Sequence, residues 1–250
     1  MASLSEDFMQ NTESEIWSNF NNRLISIMAH DLRQPFSSII MTAEMLKLTQ
    51  KPLDQDEFNI IMEDLRDTAS KSIELLDGLL YWVKSKKEGF EYRTQPLFLN
   101  DLVNESNGLY VYDQQKKNVK FSNCVPERQI IYAHKQMLQF INRNILSNAT
   151  KYSPANATIK VTAKATNEWI TVAINDKGKG MTREQIYNLF NIQQMAKQDD
   201  HTLKGAGMAL SICQDMIRQM NGRLWAESIP GEGTTFYYSL PLEKQGVYSL

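Results

Sequence analysis

Two long helical patterns with a single glycine occupy residues 13–86, and they restrict the possible folds of this chain more than any other feature. The first pattern continues beyond Pro35, which removes one backbone donor and predicts a bend. In the second, apolar residues recur at alternating spacings of three and four, which is typical of one face of an amphipathic helix. These residues are Phe58, Ile61, Leu65, Ala69, Ile73, Leu76, Leu80 and Val83.

The polar segment LTQKPLDQDEF separates the two patterns and predicts a turn, with Asp54 or Asp56 as a candidate cap of the second helix. The helical patterns therefore predict a hairpin. Two amphipathic helices enclose little core, whereas two hairpins paired as a four-helix bundle bury both apolar stripes. We expect a homodimer.

A charged segment, KSKKEGFEYRTQP, follows the second helix and contains Gly89 and Pro96. This composition is typical of a connector between domains. We expect one domain over residues 1–88 and a second over residues 89–250.

The second domain mixes two kinds of pattern. Helical periodicity covers about residues 99–115, 135–150 and 207–220, while ATIKVTAKA and EWITVAIND alternate as strands do. Two further strands, GRLWAESI and TTFYYSLPL, are joined through Pro230, Gly231 and Gly233. Helices separate from neighbouring strands predict an α+β sandwich with a mixed, mostly antiparallel sheet.

Composition excludes several classes of protein. The chain has 27 basic and 29 acidic residues and a net charge of -2, so no field of one sign favours nucleic acid or an anionic membrane. Cys124 and Cys213 match no metal-ligand spacing, which fits a reducing cytoplasm. No apolar run approaches the roughly 18 residues of a membrane span. We expect a cytoplasmic chain, or the cytoplasmic portion of a longer membrane receptor.

His30 lies within the first helical pattern and is followed by Asp31. At 100° per residue, His30 points about 110° away from the apolar face, so its imidazole is expected to face solvent. A carboxylate that holds the proton on one ring nitrogen leaves the other free as a nucleophile. The alternative is an ordinary surface histidine without a chemical role.

Two glycine clusters in the second domain suggest a ligand. In NDKGKGMT, Asp176 ends an apolar strand, and Gly178 and Gly180 allow a flat ligand to approach the backbone closely. The Asp176 carboxylate can accept a hydrogen bond from an exocyclic amine. In KGAGMAL, Gly205 and Gly207 directly precede a helical pattern, whose amide groups favour a phosphate. Each cluster is also compatible with an ordinary tight turn.

The segment NRNILSNATKYSP places Asn144 and Asn148 on one helix face, with Lys151 and Tyr152 close behind. Amide oxygens suit Mg²⁺, which shares its coordination with water and nucleotide phosphates, and an ammonium neutralises phosphate charge. The alternative is that both asparagines cap or decorate a solvated helix face.

These strings resemble the conserved boxes of sensor histidine kinases. AHDLRQP resembles the phosphoacceptor box, NRNILSNATKYSP the asparagine box, and DKGKGM and KGAGMALSICQDMIRQMNG the two glycine boxes, with GEGTTF closing the domain. The order agrees over about residues 17–242. The resemblance implies a dimeric phosphoacceptor hairpin followed by an ATP-binding sandwich of the type shared with gyrase, heat-shock chaperones and mismatch-repair ATPases.

The resemblance also implies individual roles. His30 would accept the phosphoryl group and Asp31 would take its second proton, while Asn148 would coordinate Mg²⁺ with help from Asn144. Residues 192–204 would form a lid over ATP. Lys151 would bind phosphate, Tyr152 would lie beside the nucleotide, and Asp176 would accept a hydrogen bond from the adenine amine. The other positions around the nucleotide would be Gly178, Gly180, Met181, Gly205, Ala206, Gly207, Met208 and Thr235.

Four positions depart from the family pattern. Leu189 stands where an arginine is common, so one cation that would stabilise the transferring phosphate is missing. Ala206 and Met208 replace a common threonine and leucine. Gln34 stands four residues after His30, where phosphatase-active members often have threonine or asparagine; its amide still has the groups to orient water.

The resemblance predicts an ATP-dependent kinase that phosphorylates His30 and passes the group to an aspartate of a response-regulator receiver domain. Two alternatives remain open: a degenerate kinase acting as a nucleotide-binding dimeric scaffold, and an ATPase clamp without phosphohistidine. Neither the stimulus nor the cognate receiver can be read from the sequence.

Overall fold

The computed structural model describes residues 33, 35–48, 53–85, 93–190 and 206–242. By their internal contacts, the residues divide into two units, Met1–Leu76 and Asp77–Leu250. The first unit is helical where it is described, and the second contains the mixed α/β domain. The expected fold class is therefore confirmed at the level of a helical region followed by an α/β domain.

The helical region consists of α1, which includes residues 35–48, and α2 (Gln55–Ser85), whose last nine residues belong to the second unit. Asp54 caps α2: its Oδ1 accepts a hydrogen bond from the Glu57 amide at 2.8 Å, and its own amide donates to Glu57 Oε2 at 3.3 Å. This reciprocal pair satisfies backbone donors at the helix start. Most of the chain before Pro35, where the bend is predicted, lies outside the described residues.

The apolar stripe of α2 remains largely in contact with water within one chain. Five of its predicted members, Phe58, Ile73, Leu76, Leu80 and Val83, are exposed. Helix α1 likewise exposes Phe36, Ile40, Met41 and Leu48. These exposed side chains form an apolar surface on the described helices, and burial of apolar area is the main favourable contribution to folding.

The second unit contains a five-stranded sheet of order β2-β4-β5-β7-β6 and a separate two-stranded sheet of β1 and β3. Strand β2 pairs parallel with β4, and the other pairs are antiparallel, so the prediction of a mixed, mostly antiparallel sheet is confirmed. The strands are β1 (Gln95–Phe98), β2 (Lys120–Asn123), β3 (Ile130–Ala133), β4 (Thr158–Ala165), β5 (Trp169–Asn175), β6 (Arg223–Ile229) and β7 (Gly233–Pro241).

The helices of this unit agree with the predicted periodicity in part. The predicted helix over residues 99–115 is divided into α3 (Leu99–Asn107), a 3₁₀ turn (Gly108–Tyr110) and α4 (Val111–Lys116). The three that follow are α5 (Lys135–Tyr152), α6 (Arg183–Leu189) and α7 (Ala206–Gln219).

The core lies between the helices and one face of the five-stranded sheet. In β5, Ile170, Val172 and Ile174 are buried, whereas the alternating residues are half-buried on the opposite face. The core also contains a polar pair of Tyr238 and Asn142: the Tyr238 hydroxyl donates to Asn142 Oδ1 at 3.0 Å, and both side chains are fully buried.

We expect Tyr238→Phe to lower the free energy of unfolding by about 1–3 kcal/mol, because Asn142 Oδ1 would lose its partner inside the core. Urea denaturation followed by circular dichroism measures this change. Tyr237→Phe is the matched control. The Tyr237 hydroxyl donates to exposed Glu227, so its loss should change stability by no more than about 0.5 kcal/mol. Equal effects of the two substitutions would contradict the buried pair's contribution.

Candidate nucleotide-binding site

Asp176 follows directly after β5 and is only 4% exposed. Its Oδ1 accepts hydrogen bonds from the Gly178 amide at 2.8 Å and the Thr234 amide at 3.2 Å. Burial raises the pKa of the Asp176 carboxyl, and the two amide hydrogen bonds oppose that effect. Among the residues described, none donates a hydrogen bond to Asp176 Oδ2. The carboxylate therefore has a fixed orientation and one acceptor oxygen available to a ligand.

The glycines around Asp176 are required by the space and the backbone conformation. A Cβ at Gly178 would lie 2.7 Å from the Tyr152 carbonyl oxygen, so the loop after β5 meets the end of α5 without room for a side chain. Gly233 has φ +113, and a Cβ there would collide with the Asp176 carbonyl oxygen. Gly180 has φ +65 and would collide with Ile229. Three glycines thus shape the wall beside the carboxylate.

The raised pKa of Asp176 predicts a pH effect on stability. Because the folded-state pKa lies above the unfolded value of 3.8, the native state binds more protons between the two values, and stability from this group falls as pH rises through that window. Asp176→Asn cannot titrate. We expect its free energy of unfolding to increase relative to wild type as pH rises above 3.8, and then to stay level. A difference independent of pH would contradict this prediction; urea denaturation across pH provides the measurement.

The second part of the candidate site lies on α5. Asn144 Nδ2 donates to the Phe140 carbonyl oxygen at 2.8 Å, and among the described residues no donor bonds to the Asn144 amide oxygen. Asn148 is half-buried, and its side chain has no hydrogen-bond partner within the described ranges. An amide oxygen in this state is a suitable hard ligand for Mg²⁺.

Positive charge collects at the carboxyl end of α5. The ammonium groups of Lys151 and Lys179 lie 5.2 and 5.3 Å from the centre of the Tyr152 ring. Lys117 Nζ donates to the carbonyls of Thr150 and Lys151 at 3.0 and 2.9 Å, and so pairs with the negative end of the helix. The Tyr152 carbonyl oxygen lies against Gly178, so Lys151 and Lys179 are near the loop that follows Asp176.

The second glycine box begins helix α7, which starts at Ala206, one residue earlier than predicted. Gly207 and Met208 therefore lie in the first turn, where backbone amides have no partner within the helix. Gly205, the candidate lid at residues 192–204, and the candidate catalytic residues His30, Asp31 and Gln34 lie outside the described residues.

Strand β7 contributes a residue that the sequence analysis did not select. The Thr234 amide donates to Asp176 Oδ1, and the Thr234 hydroxyl lies 2.9 Å from Ser228 Oγ. Thr235 Oγ1 instead accepts a hydrogen bond from Asn175 Nδ2 at 2.8 Å, on the half-buried face of the sheet. Ser228 in turn accepts a bond from the Met181 amide at 2.8 Å. In β7 the even-numbered residues are buried, and this alternation places Thr234 on the same face of the sheet as Asp176.

Leu189, where many family members have arginine, is buried at the end of α6. Helix α6 begins at a capping box in which the Thr182 hydroxyl accepts from the Gln185 amide and Gln185 bonds back to Thr182. The position thus contributes apolar packing in this chain and supplies no charge to the site.

Two family models match the chain. Residues 20–86 match the His Kinase A (phospho-acceptor) domain, and residues 133–244 match the histidine kinase-, DNA gyrase B- and HSP90-like ATPase. A phosphoacceptor domain followed by this ATPase domain is the arrangement of a two-component sensor kinase. The chain belongs to the histidine kinases. The ATPase match implies that the second domain of this histidine kinase binds ATP.

Curated relatives agree with this assignment. The adaptive-response sensory kinase SasA of Synechocystis sp. is 28% identical over 230 residues, which cover 89% of this chain and 60% of the relative. SasA of Prochlorococcus marinus is 26% identical over 248 residues, covering 95% of this chain and 62% of the relative. The chain therefore spans about three fifths of the length of these relatives.

Solved structures share the fold. The catalytic domain of histidine kinase ThkA aligns with a TM-score of 0.53 at 22% identity, covering 60% of this chain and 96% of that chain. Histidine kinase AdeS of Acinetobacter baumannii aligns with a TM-score of 0.60 at 13% identity, covering 86% of this chain and 98% of that one. ThkA in complex with the response regulator TrrA has a TM-score of 0.59 at 21% identity, covering 86% of this chain and 60% of that one.

None of the helices in the described ranges combines the length and the apolar character that a bilayer crossing requires.

Proposed function

We propose that this chain is a kinase core that transfers the γ-phosphoryl group of ATP to its own His30 and then to an aspartate on a response-regulator receiver domain. Its phosphoacceptor region would be residues 1–88 and its ATP-binding domain residues 89–250, acting in the cytoplasm. The observation that carries the proposal is the buried Asp176 carboxylate, which is held by two backbone amides and keeps one oxygen available beside a glycine wall.

Adenine fits this site for a chemical reason. The exocyclic amine of adenine is a donor, and Asp176 Oδ2 is the acceptor without a partner. Gly178, Gly180 and Met181 would line the pocket and Tyr152 would lie beside the nucleotide. The two remaining sides of the proposed pocket would be formed by Thr235 on β7 and by Gly205, Ala206, Gly207 and Met208 at the start of α7, whose amides would hold phosphate.

The residues on α5 suit the metal and the phosphates. Asn148 would coordinate Mg²⁺ through its amide oxygen, with Asn144 four residues earlier on the same face. Lys151 would neutralise phosphate charge from the exposed end of the helix. Bound Mg²⁺ would supply charge neutralisation at the transferring phosphate. The chain's own task is then to position the nucleotide.

His30 would receive the phosphoryl group. Asp31 would accept the ring proton that leaves as the N–P bond forms, so that the attacking nitrogen is neutral and nucleophilic. Gln34, one helical turn later, has both amide donors and an acceptor with which to orient water. On that ground we include dephosphorylation of the receiver domain as a second activity of the same helix.

The active species would be a homodimer. Helices α1 and α2 expose large apolar side chains within one chain, and pairing two helical regions as a four-helix bundle would bury them. The surface of that bundle around His30 would bind the receiver domain. A degenerate, scaffold-only kinase is favoured by Leu189, whose burial leaves the site without the family's arginine.

Incubation of the purified chain with γ-labelled ATP and Mg²⁺ tests the proposal. Phosphohistidine is labile in acid and stable in base, so the expected product is protein-bound label that acid removes. Acid-stable label, or ATP hydrolysis without protein labelling, would reject the histidine kinase activity in favour of the ATPase clamp. Nucleotide binding without either product would favour the scaffold.

A further inference from the structure

A pocket of about 600 Å³ lies in the ATP-binding domain, and Asp176 is not among the residues that line it. It involves the carboxyl-terminal half of α7, the following turn, and the strands β5, β6 and β7. Its lining residues are Trp169, Thr171, Gln214, Arg218, Gly222, Arg223, Leu224, Trp225 and Ser239. The proposed phosphate site uses the first turn of α7. Because Gly207 and Arg218 are eleven residues apart on that helix, about 16 Å of helix separates the two regions.

Strand register explains the shape of this pocket. Arg223 lies opposite Ser239, and Ser239 lies opposite Thr171, so one row across three strands carries two small side chains and one arginine. Trp169 lies two residues before Thr171 on the same face, and Trp225 two residues after Arg223. The short side chains form a floor between the two indoles. Trp225 is held by stacking on Tyr237, with ring centroids 5.1 Å apart and an interplanar angle of 9°.

The charged groups at the pocket are all positive. Arg218 and Arg223 are exposed, and in the described part of the chain no hydrogen bond or ion pair involves either guanidinium. Two neighbouring carboxylates already have other partners. Asp215 accepts a hydrogen bond from the Trp82 indole at 2.6 Å, and Glu227 accepts one from the Tyr237 hydroxyl. The arginines therefore present charge-assisted donors that have no partner among the described residues.

The pocket continues onto a sheet edge. Strand β6 is the last strand of the five-stranded sheet, and no described strand pairs with it on the side away from β7. The loop near Met181 contacts Ser228 at one end of β6, whereas Arg223 and Trp225 lie towards the other end. Outward-pointing peptide groups on an edge strand can pair with an extended chain, while adjacent pockets select its alternate side chains.

We propose that this pocket and the free edge of β6 bind an extended acidic segment of a partner protein. Carboxylates of that segment would pair with Arg218 and Arg223, and an apolar side chain would lie on the floor between Trp169 and Trp225. A peptide is favoured over a small anion because the apolar lining, the two arginines and the strand edge lie side by side. A segment of alternating acidic and apolar residues can contact all three at once, whereas a small anion can contact only the arginines.

The test uses the full chain and two fluorescein-labelled eight-residue peptides, one alternating Glu and Leu, the other alternating Lys and Leu. Fluorescence anisotropy should show binding of the acidic peptide, weakened by salt, and at least tenfold weaker binding of the basic one. The double substitution Arg218→Glu with Arg223→Glu should weaken binding of the acidic peptide at least tenfold. Arg128→Glu makes the same charge reversal at one exposed turn position outside the pocket, and this control should have no effect.

Trp169→Ala should also weaken binding of the acidic peptide, because the apolar side chain would lose one wall. ADP affinity should be unchanged in every variant, which separates this site from the proposed nucleotide site. Equal binding of both peptides, or wild-type affinity in the double variant, would overturn the proposal. Light scattering tests whether the occupant is a second copy of the chain. If wild type forms assemblies larger than a dimer and the double variant does not, the pocket binds another copy of the chain and the proposal of a partner protein is wrong.

Discussion

The His30→Gln variant is expected to incorporate no acid-labile phosphate from γ-labelled ATP. A carboxamide nitrogen has no lone pair available for attack on phosphorus, so the reaction loses its acceptor completely rather than slowing by a small factor. Phosphorimaging after gel electrophoresis measures the label. Binding of ATP should keep the wild-type affinity, because the proposed nucleotide residues all lie in the other domain.

Thermal unfolding provides the control for this substitution. If His30 faces solvent, as the helical pattern predicts, its replacement should change stability by no more than about 0.5 kcal/mol. Persistent acid-labile label on the His30→Gln protein would place the acceptor elsewhere. If His30→Gln loses both the label and its fold, the labelling experiment is repeated with His30→Asn, whose side chain is one methylene shorter. Folded His30→Asn should also incorporate no acid-labile phosphate.

Asp176→Asn should weaken ATP binding by about tenfold to a hundredfold while leaving the domain folded. The amide oxygen of asparagine can still accept the hydrogen bonds of the Gly178 and Thr234 amides. The other oxygen, however, becomes an amino group, which would place a donor against the donor of the adenine amine. Loss of a buried hydrogen bond to a charged group costs about 1.5–3 kcal/mol, which corresponds to the expected change. Isothermal titration calorimetry measures it.

Glu227→Gln is the matched control for this experiment, because it makes the same chemical change at an exposed position on β6. It should bind ATP like wild type. Unchanged ATP affinity in folded Asp176→Asn would show that the carboxylate does not bind the base. His30→Gln and Asp176→Asn should therefore fail at different steps, the first in transfer and the second in nucleotide binding.

The long elements of the fold could be predicted because their signals repeat. Helix α5 and the alternating strands β4 and β5 lie within about two residues of their predicted bounds. The four-residue strands β1, β2 and β3 were not predicted, because four residues hold too little alternation to distinguish a strand from a loop. Their pairing depends on partners distant in sequence, which a local pattern does not contain.

The candidate site shows the same limit. The position of Asp176 at a strand end followed by glycines was readable, since a turn of this type has a composition of its own. That Thr234 and not Thr235 faces Asp176 depends on the register of β7 against β5, where Asn175 lies opposite Thr235. A pattern of paired threonines does not decide which of them lies on the same face of the sheet as Asp176; the buried even positions of β7 do.

The bonds that hold Asp176 have a consequence for nucleotide exchange. One oxygen of the Asp176 carboxylate accepts hydrogen bonds from the Gly178 amide and from the Thr234 amide at the start of β7, so the backbone fixes this side chain before any ligand arrives. A base bound there as proposed would spend little free energy on ordering the carboxylate. Exchange of one nucleotide for another would then need no refolding of these bonds between turnovers.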